Sequence, residues 1–414
     1  MPAPARPGPN RRQFLRQAAL LAAGTPAFAV ALDACSRTKG SEPEINPTIA
    51  APDKPVKWDI PLDNAPIADG LGPEKGAPLH LYSYAGYISP EAVKTFQKRY
   101  GVEVRVSTFN NTDEALSKIR DGEDDYDIFT PSYDQIGRLV GGELIRPLNH
   151  SYVPNIKNLW PVFANPWYDR EWRYSVPYTV YTTGIGWRTD DVKADIASLP
   201  NPYAALWDRT YKNKTAVIDD WHTAMAMVLL KLGITDVNTS SADDLQKLGE
   251  ALTEMRTNTA PGISVTMFSD LPAGLISVAQ MWSGDIINAK NFLPEGVGPD
   301  ILRYWFPADG RGLVDNDLMV SLRGGKNPVL SHLFINHMLD AEVAKKNFAA
   351  VGYQPPQISL DPDSLVAAGL VPANLKSAIV QPEYFGVGYR LLELDPANDA
   401  AWHSVWRAFK TGRS

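Results

Sequence analysis

The sequence predicts an α/β fold built on a mostly parallel sheet. From Leu79 onward, short strand-like runs alternate with helical ones, and strands joined through helices pair in parallel. The chain beyond its leader is roughly 380 residues, too long for one hydrophobic core and suited to two domains.

The first round of this pattern opens with His80 to Tyr84 as a strand. Pro90 to Arg99 follows as a helix with Ala92, Val93 and Phe96 on one face, then Val102 to Thr108 as a strand with Val102, Val104 and Val106 on one side. Thr112 is placed to cap the next helix, whose Asp113 and Glu114 suit its positive end and whose buried stripe is Ala115, Leu116 and Ile119. Tyr126 to Thr130 then reads as a strand. Later come a strand at Thr215 to Ile218, a helix from Trp221 to Lys231, and a helix opening at Ser241, where Ser241 and Asp244 form a capping box. Further strands are expected at Ile276 to Trp282, Ile301 to Pro307 and Leu318 to Leu322, with a strongly amphipathic helix at Pro328 to Leu339.

Ahead of this body lies an export signature. Asn10-Arg11-Arg12-Gln13-Phe14-Leu15-Arg16 places paired arginines before an apolar run, as a twin-arginine signal does. Gly24 and Pro26 interrupt that run, which is shorter than the roughly 20 residues a membrane span needs. It ends at Leu32-Asp33-Ala34-Cys35, which resembles a lipobox. Cys35 is the only cysteine, so disulfides are excluded and lipidation is its simplest role. The expected layout is a signal over 1–34, an anchor at Cys35 on the outer face of the cytoplasmic membrane, and a flexible tether over 35–78. Eight prolines lie between Ser36 and Pro78. Trp58 and the Ile60-Pro61 step are the parts of the tether expected to pack back on the body.

Loss of residues 1–34 removes Arg6, Arg11, Arg12, Arg16 and Asp33 and takes the net charge from −7 to −10. Such acidity argues against nucleic acid, whose phosphates call for a basic footprint, and is compatible with a cationic ligand. Enzyme signatures are missing. The six histidines form no HExxH pair, and His332 and His337, five apart, do not share a helical face. There is no G-x-S-x-G elbow and no complete phosphate loop around Gly325-Lys326-Asn327. No metal or cofactor is expected.

One set of sequence blocks is more specific. Tyr82-Ser83-Tyr84-Ala85-Gly86-Tyr87-Ile88 and Tyr126-Asp127-Ile128-Phe129-Thr130-Pro131-Ser132 are followed by Ser175-Val176-Pro177-Tyr178, Ala205-Leu206-Trp207-Asp208, Met281-Trp282-Ser283-Gly284 and Gly352-Tyr353-Gln354-Pro355-Pro356. In this order they resemble extracellular solute-binding proteins of the spermidine/putrescine type, over essentially all of residues 79 to 410. The resemblance implies a two-lobed periplasmic-binding-protein fold (type II) with discontinuous lobes and a hinge. Residues 79–181 plus 313–360 would form lobe 1, and 182–312 plus 361–414 lobe 2, with crossings near Tyr181 to Thr183, Arg311 to Asp315 and Leu360. It also implies a monomer without enzymatic activity that holds a polyamine-like ligand and works with a membrane permease and its ATPase. The alternatives are the same fold around another small solute, such as an organic anion or amino acid derivative, or a secreted enzyme.

Polyamine recognition calls for carboxylates at the ammonium ends and aromatic walls along the methylene chain. Positions matching the family's cleft residues are Tyr84, Tyr87, Ser132, Asp134, Asp220, Thr223, Trp282, Val314, Asn316, Tyr353 and Phe385. Asp285 and Tyr133 are added from their neighbourhood. Thr223, Val314 and Asn316 depart from the family pattern, since close polyamine binders carry an acid, a tryptophan and an acid there. Either Asp134, Asp285 or Asp315 substitutes, or the ligand carries fewer charges. Asp315 and Asp317 flank Asn316.

Overall fold

The computed structural model describes residues 48–122 and 125–412; the export signal and Cys35 lie outside them. Ten strands run in chain order as β1 Leu79–Tyr84, β2 Val104–Phe109, β3 Ile128–Phe129, β4 Ile145–Arg146, β5 Ser175–Arg188, β6 Thr215–Ile218, β7 Gly262–Ser264, β8 Val278–Trp282, β9 Leu302–Trp305 and β10 Leu313–Leu322. Their order in the sheet is β2-β1-β3-β10-β5-β8-β6-β7, with β4 on β10 and β9 on β5. Strands β1, β2 and β3 are mutually parallel, as are β6, β7 and β8, and these two parallel groups flank the antiparallel pair β5 and β10.

That central pair carries the architecture. β5 is buried at all fourteen positions and β10 at all ten, because both strands are covered on both faces. β5 pairs with β10 from Ser175 to Thr183, and from Thr183 onward it pairs with β8. Thr183 is therefore where the chain passes from one half of the sheet to the other. A bulge opposite Asp317/Leu318 lets Pro177, which has no N–H, sit inside the ladder, and Tyr178 is the extra residue. Gly184, just past the switch, allows a close approach: a Cβ there would lie 2.1 Å from the Trp305 carbonyl oxygen. Gly184→Ala is expected to cost about 1–3 kcal/mol of stability, the range for overpacking; an unchanged midpoint in denaturant titration would refute it.

Two sets of cores flank this pair. On one side Phe96 packs edge to face on Phe334 among Leu79, Ile128 and Met319, and Tyr82, Phe129 and Leu139 fill the opposite face. On the other side Trp402 and Trp406 pack with Met225 and Leu248, while Met281, Ile286 and Leu375 form a further core.

Four local expectations need correction. Asn111, not Thr112, caps the helix Thr112–Asp121, accepting from the Asp113 and Glu114 amides. β2 is an edge strand starting at Val104, and Val106 is 41% exposed on it. The helix Pro328–Met338 is buried on nearly every side, polar positions included. Finally, residues 48–78 are not a free tether. Trp58 is buried and donates to the Tyr168 carbonyl, Asn64 donates to the Ile145 carbonyl, and Glu74 accepts from the Val329 and Leu330 amides. The segment packs through single anchors and hydrogen bonds, which leave no periodicity to read.

Candidate ligand-binding cleft

Loops at the carboxyl ends of the parallel strands, together with the facing stretches of β5 and β10, enclose a cleft with about 1050 Å³ of empty space, part of it open to solvent. Tyr84 ends β1, and Tyr87 follows the Gly86 turn, where φ is +74°. Ser132, Tyr133 and Asp134 follow β3. Asp220 caps the helix Trp221–Lys231, where its Oδ1 accepts from the Thr223 amide at 2.9 Å. Trp282 ends β8 and Asp285 lies in the first turn of the helix Ser283–Asn288. All of these, with Thr223 and Tyr353, line the cleft.

Asn316 does not. It is fully buried behind β10, donating to the Tyr168 hydroxyl and accepting from Arg390. Asp315 and Asp317 face the cleft instead, because side chains alternate along a strand and the odd-numbered pair holds the cleft side. Val314 is core, and Phe385 packs against Phe163 and Arg390 away from the cleft. Tyr181 also lines the cleft and was missed; its only signal is its place on the crossing strand.

The walls are aromatic. Tyr87 lies 4.5 Å from Tyr353 and 5.5 Å from Tyr84 between ring centroids, and Tyr181 lies about 6 Å from both Trp282 and Tyr353. Phenols hold the carboxylates. Tyr353 donates to Asp285 Oδ1 at 2.7 Å, Tyr133 to Asp315 Oδ1 at 2.9 Å, Tyr181 to Asp317 Oδ1 at 3.0 Å, and Tyr87 to Asp317 Oδ2. Ser132 and Gln135 donate to the two oxygens of Asp134. Tyr84 bonds the Thr112 hydroxyl, so the threonine expected as a cap serves the cleft wall.

Among the described residues, four buried polar atoms of the cleft lining have no hydrogen-bond partner: Gln135 Oε1, His222 Nε2, Trp282 Nε1 and Asp285 Oδ2. Buried polar groups are rarely left so, and a bound ligand is one way to complete them. Burial also raises the carboxyls, Asp220 to about 6, Asp285 and Asp315 to about 7 and Asp317 to about 8, and it raises Asp134. Hydrogen bonds from the phenols and amides oppose this only in part. None of Asp134, Asp220, Asp285 and Asp317 forms an ion pair with a basic side chain among the described residues; Asp315 alone of the β10 acids does, with Arg390. Such a surface is built to receive positive charge between flat apolar walls. Among the described residues no group of His, Cys, Asp or Glu is arranged to hold a metal ion, and no helix is long and apolar enough to cross a membrane.

Known proteins place this architecture. The chain is 27% identical over 341 residues to the putrescine-binding periplasmic protein PotF of Escherichia coli, covering 79% of this chain and 90% of that one. It is 28% identical over 277 residues to spermidine/putrescine-binding periplasmic protein 1 of Haemophilus influenzae, covering 66% and 74%. A solved structure described as a putative spermidine/putrescine ABC transporter from Listeria monocytogenes superposes with a TM-score of 0.69 at 26% identity, over 81% of this chain and 99% of that one. The fold is thus the two-lobed one of the periplasmic solute-binding proteins. A family model described as bacterial extracellular solute-binding protein matches residues 91–372, and the chain belongs to that family.

Proposed function

We propose that this protein is the substrate-binding component of an ABC importer and that it binds a polyamine, putrescine or spermidine, or a related cationic amine in the cleft between its lobes. The observation that carries the reading is that Asp134, Asp220, Asp285 and Asp317 line the cleft without an ion-pair partner among the described residues, set among tyrosines and a tryptophan. The names of the relatives support the same ligand class. In this reading Asp285, Asp220 and Asp317 receive ammonium groups, while Trp282, Tyr84, Tyr87 and Tyr353 enclose the methylene chain. Ser132, Asp134 and Thr223 complete the rim. Residues 79–181 with 313–360, and 182–312 with 361–414, act as the two lobes, with β5 and β10 as crossing strands. The protein closes on its ligand and hands it to a permease powered by a separate ATPase, without catalysing a reaction. It works as a monomer, exported and held at the outer face of the membrane through lipidated Cys35.

A thermal-shift screen of polyamines, amino acids, sugars and organic anions tests this, since a ligand that binds only the folded state stabilises it by an amount that grows with the logarithm of its concentration over its Kd. Putrescine or spermidine is expected to stabilise; a response confined to neutral or anionic solutes would discard the reading. Asp220→Asn is expected to lower amine affinity about tenfold while leaving the helix cap in place, since asparagine caps as well as aspartate. Calorimetric titration beside the wild type gives the ratio, and equal affinities would remove Asp220 from the site.

A further inference from the structure

Behind the cleft wall sits a cation the chain supplies itself. The Arg390 side chain is 8% exposed, its guanidinium carbon lies 4.1 Å from the Tyr133 ring centroid, 5.0 Å from Phe385 and 5.8 Å from Trp167, and its Nε is 3.7 Å from Asp315 Oδ1. One terminal nitrogen donates to Asn316 Oδ1 at 2.7 Å. An aromatic box closed by a carboxylate is what a ligand ammonium would need, and here a tethered guanidinium fills it. Tyr133, Asp315 and Leu391 separate this box from the cleft, which they line with their other sides.

We propose that Arg390 is a specificity-determining residue: it takes Asp315 out of ligand recognition and so lowers by one the number of ammonium groups the cleft accommodates. The proposal rests on the amine-binding reading above. Asp315 lies within an ion-pair distance of the Arg390 Nε, which makes no hydrogen bond of its own, and shares the Tyr133 hydroxyl with the Leu391 carbonyl; among the described residues Asp285 has no cation beside it and keeps a buried oxygen without a partner. A buried ammonium placed beside Asp315 would also lie near Arg390, and like charges in a low-dielectric wall repel strongly. The rigid guanidinium suits this post better than a lysine, being held at once by ring faces, an amide oxygen and a carboxylate. Asn316 thereby gains a role: its carbonyl oxygen orients Arg390 from the far side of β10, which explains its burial away from the ligand.

The test is calorimetric titration of the wild type, Arg390→Gln and the double variant Asp315→Asn/Arg390→Gln with putrescine and spermidine. Freeing Asp315 in Arg390→Gln is expected to shift the spermidine-to-putrescine affinity ratio about tenfold or more toward the triamine. The double variant removes the pair as a neutral unit and is expected to return the ratio to within about twofold of the wild type. A ratio in the single variant within twofold of the wild type overturns the proposal, as does an equal fall for both amines. Should Arg390→Gln fail to fold, the double variant decides alone, because a tenfold loss of putrescine affinity in it would show that Asp315 does contact ligand. A wild type that binds neither amine would instead discard the proposed function itself.

Discussion

Asp285→Asn is expected to weaken amine binding by about tenfold to about 150-fold, the effect of losing about 1.5–3 kcal/mol of charge-assisted hydrogen bonding. The geometry singles this carboxylate out. Its Oδ1 is held by Tyr353, and among the described residues neither its buried Oδ2 nor the Nε1 of Trp282, which lines the same cleft, has a hydrogen-bond partner. Asparagine keeps the shape and the bond from Tyr353, but it carries no charge and can turn an amide N–H toward an ammonium. The same substitution is expected to leave the ligand-free protein at least as stable at pH 8, since it deletes a buried charge. Titration calorimetry and thermal unfolding read the two effects separately. Undiminished affinity would assign Asp285 to packing.

Amine affinity is expected to fall by about several hundredfold from pH 8 to pH 6. An ammonium binds ionised carboxylates, yet burial holds Asp285 near 7 and Asp317 near 8 without ligand, so both must lose protons for the amine to bind. Each such group costs up to tenfold per pH unit below its own value. Binding at pH 7 therefore releases protons, and the apparent enthalpy will change with the ionisation enthalpy of the buffer. The ligand-free protein shows the opposite trend in stability. These carboxyls titrate above the value of about 4 that they have in an unfolded chain, so the folded state holds more protons between about pH 4 and 8, and its stability declines as pH rises through that window. Affinity independent of pH across this range would mean that the acids which bind ligand are already ionised.

Part of the cleft lining was marked by the family resemblance and part of the fold by local pattern. Asp220 and Trp282, matched to family positions, both line the cleft, and Ser241 accepts from the Asp244 amide as its spacing implied. The exceptions share a cause. Asn316, Asp315 and Asp317 are three consecutive polar residues on a strand buried on both faces, where hydrophobic alternation cannot tell one side from the other. Their facing depends on the register of β10 against β5, more than 130 residues away in sequence, and on the bulge at Tyr178. Tyr181 and Arg390 were unreadable because most of their neighbours come from distant parts of the chain: Trp282, Asp317 and Tyr353 for the first, Tyr133, Trp167 and Asp315 for the second.

The periodicities that make the strands and helices, the caps that begin several of them, and the blocks that mark the family are written directly in the chain. All of these are encoded within windows of a few residues, where side-chain spacing and hydrogen-bonding capacity act directly. Which acids share the cleft, which of them already has a cation at its back, and that residues 48–78 lie against the body were set by packing between distant segments. Those outcomes depend on strand register and on the loss of water around charges brought together from distant parts of the chain, and no local window contains either.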